Sequence, residues 1–190
     1  MPSELSPGFL VAAPALLDPN FHRTVVLLVD HRDQGSLGFV INRPAPVESP
    51  EVLDALGLEV GEHGSAPDAV LVGGPMAPET GWVLFEQGEE RLESSEVVEV
   101  SESMAVTASR EMLTSIVTQS RVKRFVVALG YAGWGPQQLD GEIAQGAWIP
   151  VDLDTRVVFD TPYADRWAAA LRNLGIDPAR LTSTGSAGLS

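Results

Sequence analysis

Two polar clusters stand against apolar runs. In "LLDPNFHRTV", Asp18, His22 and Arg23 immediately precede the run Thr24–Val29, and in "FVINRP", Asn42 and Arg43 immediately follow the run Leu37–Ile41. A carboxylate, two guanidinium groups and an amide gathered in one place can hold and polarise a bound group, which a hydrolase, a transferase or a ligand site requires. If the runs pair as an antiparallel hairpin across "DHRDQGS", the start of one lies beside the end of the other. Asp18, Arg23, Asn42 and Arg43 then converge at one end of a sheet. The competing reading, and the commoner fate of such groups, is a structural Asp–Arg network that satisfies loop amides.

The second candidate is Gly130–Trp148, "GYAGWGPQQLDGEIAQGAW". Gly130 ends an apolar run, Gly133 and Gly135 permit unusual backbone angles, and Pro136 suits a helix start. The segment is expected to form an interior strand over Phe125–Gly130, a tight turn over Gly133–Pro136 and a helix over Pro136–Gln145. Leu139 and Ile143 face the core side of that helix. Asp140 and Glu142 are two apart and lie on different sides, so they do not make a facing acid–base pair. The leading reading is a structural corner packed by Trp134 and Trp148. The alternative is a surface recess lined by Tyr131 and Trp134 beside Arg23 and Asn42. "GGP" (Gly73–Pro75) follows a strand, and the amides of Gly73 and Gly74 could hold an anion. Neither GxxxxGK(S/T) nor GxGxxG accompanies it, and a tight turn is the plainer reading.

Other chemistry has little support. His22, His31 and His63 are separated by nine and 32 residues, which matches no compact metal motif, and HExxH is absent. His31 and His63 fall in expected loops, as solvated side chains. GxSxG is absent, and "GSAG" near the C-terminus lacks its spacing and its preceding strand. With no cysteine in the chain, thiol catalysis, disulfides and thiolate metal ligation are excluded. No cofactor and no metal are expected. Twelve Lys and Arg against 26 Asp and Glu leave a formal charge of −14, which opposes binding to a phosphate backbone. The start "MPSELSPGFLVAAPALL" has no positive n-region, and Asp18 and Pro19 interrupt it. No apolar run approaches the roughly 20 residues of a spanning helix. A cytoplasmic protein with no membrane association is the expectation.

These residues need a frame to hold them. Thr24–Val29, Leu37–Ile41 and Phe125–Gly130 are apolar without alternation, which suits strands covered on both faces. Further strands are expected at Ala69–Gly73, Trp82–Glu86, Glu96–Val100 and Arg156–Phe159. "SPEVLDALG" offers Ser49 as N-cap, Pro50 at the first helical position and Gly57 past the end. A longer helix is expected from between Ser101 and Met104 to about Thr118, with Ala105, Ala108, Met112, Leu113 and Ile116 on one face. In "TPYADRWAAALRNLG", Thr161 or Asp160 caps, Pro162 opens, Gly175 ends, and Tyr163, Trp167, Ala170, Leu171 and Leu174 form the apolar stripe. Strands and helices mix without a βαβ rhythm. The fold class is therefore α+β: one domain over 1–180, a mixed, largely antiparallel sheet packed by about four helices, and a flexible tail over 181–190. Residues 59–68 form a polar loop.

Several of these segments together resemble the YqgE/AlgH family of bacterial proteins. They are "FLVAAPALLDPNFHRTVV", "GSLGFVINRP", "VGGP", "ALGYAGWGPQQLDGEIAQGAW" and "FDTPYADRWAAALRNLGI", in the family's order. Asp140 stands where the family pattern often shows Glu. The resemblance implies a single α+β domain of mixed sheets, and it supplies no catalytic set to carry over. Some members are labelled transcriptional regulators, a label without a DNA-binding motif behind it.

Three functions are therefore in play. The first is a non-catalytic cytoplasmic protein that binds a small ligand or a protein partner, with an indirect regulatory role. The second is an enzyme using the polar end of the sheet, and the third is a DNA-binding regulator. Candidate contacts are Asp18, Arg23, Asn42, Arg43, Gly73, Gly74, Tyr131 and Trp134, with no catalytic residue assigned. The chain lacks a recognisable helix-turn-helix or basic stripe. Duplex DNA is accordingly expected to bind weakly at physiological salt, as read by fluorescence anisotropy; tight, sequence-selective binding would reverse this.

Overall fold

The computed structural model describes residue 5 and residues 7–184. The chain forms two compact units, one from the residues up to Asn42 with those from Ala132 onward, the other from Arg43–Tyr131. Along the chain come strands β1 (Gly8–Ala12), β2 (Val25–Arg32) and β3 (Gly35–Val40), then helix α1 (Ser49–Leu56). Strands β4 (Val70–Val72), β5 (Met76–Gln87), β6 (Val97–Glu99) and β7 (Met104–Thr107) follow, then helix α2 (Arg110–Gln119). Strand β8 (Val122–Trp134), helix α3 (Gln138–Ala144), strand β9 (Trp148–Val151) and helices α4 (Thr155–Phe159), α5 (Tyr163–Asn173) and α6 (Pro178–Thr184) complete the described chain. The fold is α+β.

In the first unit the strands run β9–β1–β2–β3, all antiparallel, and the last three residues of β8 pair with β3. All five residues of β1 are buried, the mark of a strand covered on both faces. Leu10, Val26, Leu28 and Val40 pack with Ala132, Trp134, Leu139 and Trp148. Helix α5 packs against β1, β2 and β9. Two of its side chains reach strand-end carbonyls: the Trp167 indole N–H donates to Ala12 at 2.8 Å, and the Arg166 guanidinium donates to Ile41. Arg166 also donates to the Thr161 carbonyl at 2.8 Å and lies over the Tyr163 ring. Burial pulls its pKa below the ordinary arginine value.

The second unit orders its strands β6–β7–β5–β8, antiparallel, with β4 parallel on the other edge of β8. That makes the pairing mixed but largely antiparallel. Leu53 of α1 and Leu113, Ile116 and Val117 of α2 close over Val83, Phe85, Phe125 and Val127.

Local readings give way where a partner decides. Met104–Thr107, expected to begin a helix, is β7, because β5 offers it a ladder at Val83–Glu86. The helix starts only at Arg110, where the Ser109 hydroxyl accepts the Met112 N–H. Arg156–Phe159, expected as a strand, lies in α4. Asp154 accepts the Arg156 N–H and holds its guanidinium, setting a helical first turn. The N-cap of α1 is Glu48 rather than Ser49, with the Glu51 carboxylate accepting the Glu48 N–H. Ser49 instead bonds the Pro67 carbonyl. Pro162 itself caps α5. Leu174 is exposed, while Arg166 joins Trp167, Ala170 and Leu171 on the buried face. Strand β8 continues through Tyr131–Trp134, so the turn falls after it and α3 begins at Gln138, two residues later than Pro136. His31 lies in β2 and is half-buried rather than solvated in a loop. Strands β1 and β9 lie outside the expected strands, and the described residues hold six helices where about four are expected. Helix α6 occupies 178–184, so the first part of the expected tail is helical; residues 185–190 lie outside the described residues.

Trp167 is 7% exposed and hydrogen-bonded at its indole nitrogen. Trp167→Ala should cost about 3–5 kcal/mol in urea unfolding, and Trp167→Phe distinctly less. Unchanged stability of the Ala variant would remove the anchoring role of α5.

Candidate functional site

The polar clusters are spent on the backbone. In the first unit, Asp18 caps its own loop: its carboxylate accepts the Asn20 N–H at 2.9 Å, and its carbonyl accepts the Phe21 and His22 N–H groups. Arg23 sits at φ 52°, in the left-handed region that non-glycine residues rarely adopt. Asn42 holds it there. The Asn42 amide oxygen accepts the Val25 N–H at 2.9 Å, and its NH2 donates to the Arg23 carbonyl at 2.8 Å, extending the β2–β3 ladder by a side chain. The Arg23 guanidinium stacks over the Trp167 indole, 5.2 Å from its centre. The structure thus brings Arg23 and Asn42 together, with Asp18 in the same loop, as a brace.

Trp134, whose strand partner is Ser36, reaches the same loop through its ring, at Phe21 rather than at Arg23 or Asn42. The Trp134 ring stacks on Phe21 and meets Trp148 edge-on at 5.9 Å. Both indole N–H groups donate to the same Glu142 oxygen at 2.9 Å, and Gln138 donates to the other. Such aromatic contacts add to burial, and the shared carboxylate satisfies every polar edge. Gly130–Trp148 therefore ends in a structural corner.

Arg43, Gly73, Gly74 and Tyr131 belong to the second unit. There the Val72 N–H donates to the Arg43 carbonyl, the Gly73 N–H donates to Leu129, and Tyr131 pairs with Met76. The Tyr131 ring stands edge-on to Trp82. The Gly73 amide is thereby committed to the ladder rather than held open for an anion.

The same region contains a cavity. Between Met76↔Tyr131 and Gly81↔Leu129, β5 advances five residues while β8 advances two, so three extra residues arch off the ladder. Gly130, at φ 74°, makes room for the arch: a Cβ there would stand 2.6 Å from the Gly74 carbonyl oxygen and 2.9 Å from that of Met76. Beside the arch lies a space of about 410 Å³. Val47, Val52, Ala55 and Leu56 wall one side, Val83, Val127 and Leu129 form the sheet floor, and Pro78, Ala108 and Leu113 close the rest. Glu51, Glu79, Ser109 and Arg110 are its polar members. Arg110, at the start of α2, donates to Leu56 at the end of α1, satisfying one of that helix's orphan carbonyls. Ser109 donates to Glu96 at 2.9 Å. The volume is within the range of small-molecule sites.

The sequence pattern described as AlgH-like matches residues 9–179. The chain belongs to the AlgH-like family. A UPF0301 protein of Anaeromyxobacter dehalogenans strain 2CP-C is 46% identical over 182 residues, covering 94% of this chain and 92% of its own length. A UPF0301 protein of Laribacter hongkongensis is 43% identical, covering 97% and 96%. The solution structure of the AlgH protein from Pseudomonas aeruginosa matches with TM-score 0.74 and 32% identity, covering 100% of this chain and 97% of the other. A crystal structure of a Corynebacterium diphtheriae protein matches with TM-score 0.74 at 22% identity, covering 94% and 90%, a likeness of fold alone. No specific function is established for the family.

In this AlgH-like chain, sequence reasoning missed the cavity residues, above all Gly81. The available signal was "MAPETG" before "WVLFE", where a Pro and a Gly interrupt a strand, the pattern of a bulge. Among the described residues no cluster of three His, Cys, Asp or Glu could hold a metal ion, and no helix is long and apolar enough to cross a membrane.

The Asn42 brace is testable. Asn42→Ala leaves the Val25 N–H and the Arg23 carbonyl without their side-chain partner and should cost about 1–3 kcal/mol. Chemical denaturation reads this directly, and an unchanged midpoint would show that water replaces the brace.

Proposed function

We propose that this protein binds a small, largely apolar molecule in the cavity of its second unit. The observation that carries the reading is a space of about 410 Å³ whose lining is mostly aliphatic. Apolar surface left facing a space this size gains free energy when an apolar ligand replaces its water. Binding, rather than chemistry, suits the lining. It contains no His, Lys, Tyr or Cys, and its Ser109 hydroxyl is engaged with Glu96 and the Met112 amide. The enzyme reading based on Asp18, Arg23, Asn42 and Arg43 loses support, because Asp18 and Asn42 are committed to loop and strand amides and Arg23 to Trp167. The same proposal takes the protein as cytoplasmic, with a regulatory influence that is indirect and exerted through a ligand or a protein partner. The formal charge of −14 supports leaving duplex DNA out of it.

Gly81 provides the test. It pairs with Leu129 and shares a sheet face with Val83 and Val127, and a Cβ built on it meets no atom within 4 Å. Gly81→Leu should therefore fill the space without disturbing the fold. In a thermal-shift screen of apolar fragments, a hit at 100 times its Kd should stabilise the parent by about 2.7 kcal/mol. The variant should keep the parent's unliganded melting temperature and lose the shift. Equal shifts in both proteins, or no hit across the screen, would reject the cavity as a binding site.

A further inference from the structure

Outside the cavity, the first unit assembles three side chains that neither the polar clusters nor the ligand reading uses. Strands β2 and β3 meet through the two-residue turn 33–34, which pairs Arg32 with Gly35 and His31 with Ser36. Side chains directly opposite in a ladder project from the same face. The His31 Nδ1 accordingly lies 2.6 Å from the Ser36 hydroxyl oxygen. Helix α3 packs on β3 and places the Asp140 carboxylate 3.3 Å from the His31 Nε2. A carboxylate only accepts, so in the neutral ring the hydrogen stands on Nε2, and Nδ1 presents a lone pair to the Ser36 O–H. That is a nucleophile hydrogen-bonded to a base which a third group orients, the arrangement that activates serine.

We propose that Ser36, His31 and Asp140 form a nucleophilic site that accepts acyl groups from small activated esters. The Ser36 oxygen attacks the ester carbonyl carbon, and its proton passes to His31 Nδ1. The imidazolium is stabilised at Nε2 by Asp140. The tetrahedral adduct collapses by breaking the bond to the alkoxy oxygen, which leaves as the alcohol with the proton from Nδ1. Water repeats the sequence on the acyl-serine, releases the carboxylic acid and restores the hydroxyl. The Ser36 residue is half-buried and the Asp140 side chain is 40% exposed, so the donor would reach the group from solvent. This site is independent of the cavity, and either proposal can fail without the other.

The experiment treats the full chain with a fluorophosphonate probe and maps the modified peptide by mass spectrometry, with p-nitrophenyl acetate followed in parallel. Ser36 should be phosphonylated, and nitrophenolate should appear in a burst matching one acyl group per chain. Ser36→Ala, which removes a single oxygen, should abolish both signals at an unchanged melting temperature. His31→Gln should slow labelling about 100-fold. Asp140→Asn, at a half-exposed position, should slow it less and serves if the His31 variant does not fold. An unlabelled Ser36, or labelling at the parent rate in a folded His31 or Asp140 variant, would overturn the proposal and leave the three groups as a structural hydrogen-bond chain.

Discussion

Strand β8 must satisfy its backbone on both edges while most of it is out of water, and the fold follows from how it does so. A buried N–H or C=O without a partner costs about as much as a lost hydrogen bond. Phe125, Val126, Val127 and Ala128 are at most 2% exposed. Along the second unit β8 takes β5 antiparallel on one edge and β4 parallel on the other, and its last three residues pair with β3 in the first unit. Gly130 permits a close approach of β5. With any side chain there, the Gly74–Pro78 backbone would have to move, and the arch that bounds the cavity with it.

The same demand explains why conspicuous polar residues do structural work. Strand ends and loop turns leave amides and carbonyls that a local ladder cannot reach. Asn42, Arg166, Trp167 and Asp18 supply the missing partners. A side chain committed in this way is poor material for catalysis, since its groups are already satisfied and its movement would expose the backbone it serves. The two proposed sites lie elsewhere, beside the β5 arch and between the β2–β3 hairpin and helix α3.

Family membership adds the fold and stops there. AlgH-like relatives share this chain over nearly its whole length, and a common architecture does not specify an activity. Function has to be argued from sites. The aliphatic cavity and the Ser36–His31–Asp140 group differ in chemistry and belong to different units.

Legibility followed the range of the information. Long apolar runs, the "SPEVLDALG" helix, the α5 stripe around Trp167 and the β2–β3 hairpin could be read in advance, because each is encoded in residues a few positions apart. Absent cysteine and the charge of −14 were equally plain. Four- and five-residue segments were not. Met104–Thr107 became a strand because β5 presented an edge, and Arg156–Phe159 became helical because Asp154 capped it. The proximity of Arg23 and Asn42 follows from a hairpin, whereas the placement of Trp134 depends on β8 pairing with β3 at Ser36. By itself the sequence determined the α+β class, the main elements and the exclusion of thiol chemistry. Tertiary structure alone decided the cavity, which lies beside a three-residue mismatch between β5 and β8, and the meeting of His31 with Asp140. Register and helix docking bring together residues a hundred positions apart, and no local pattern of residues records such a contact.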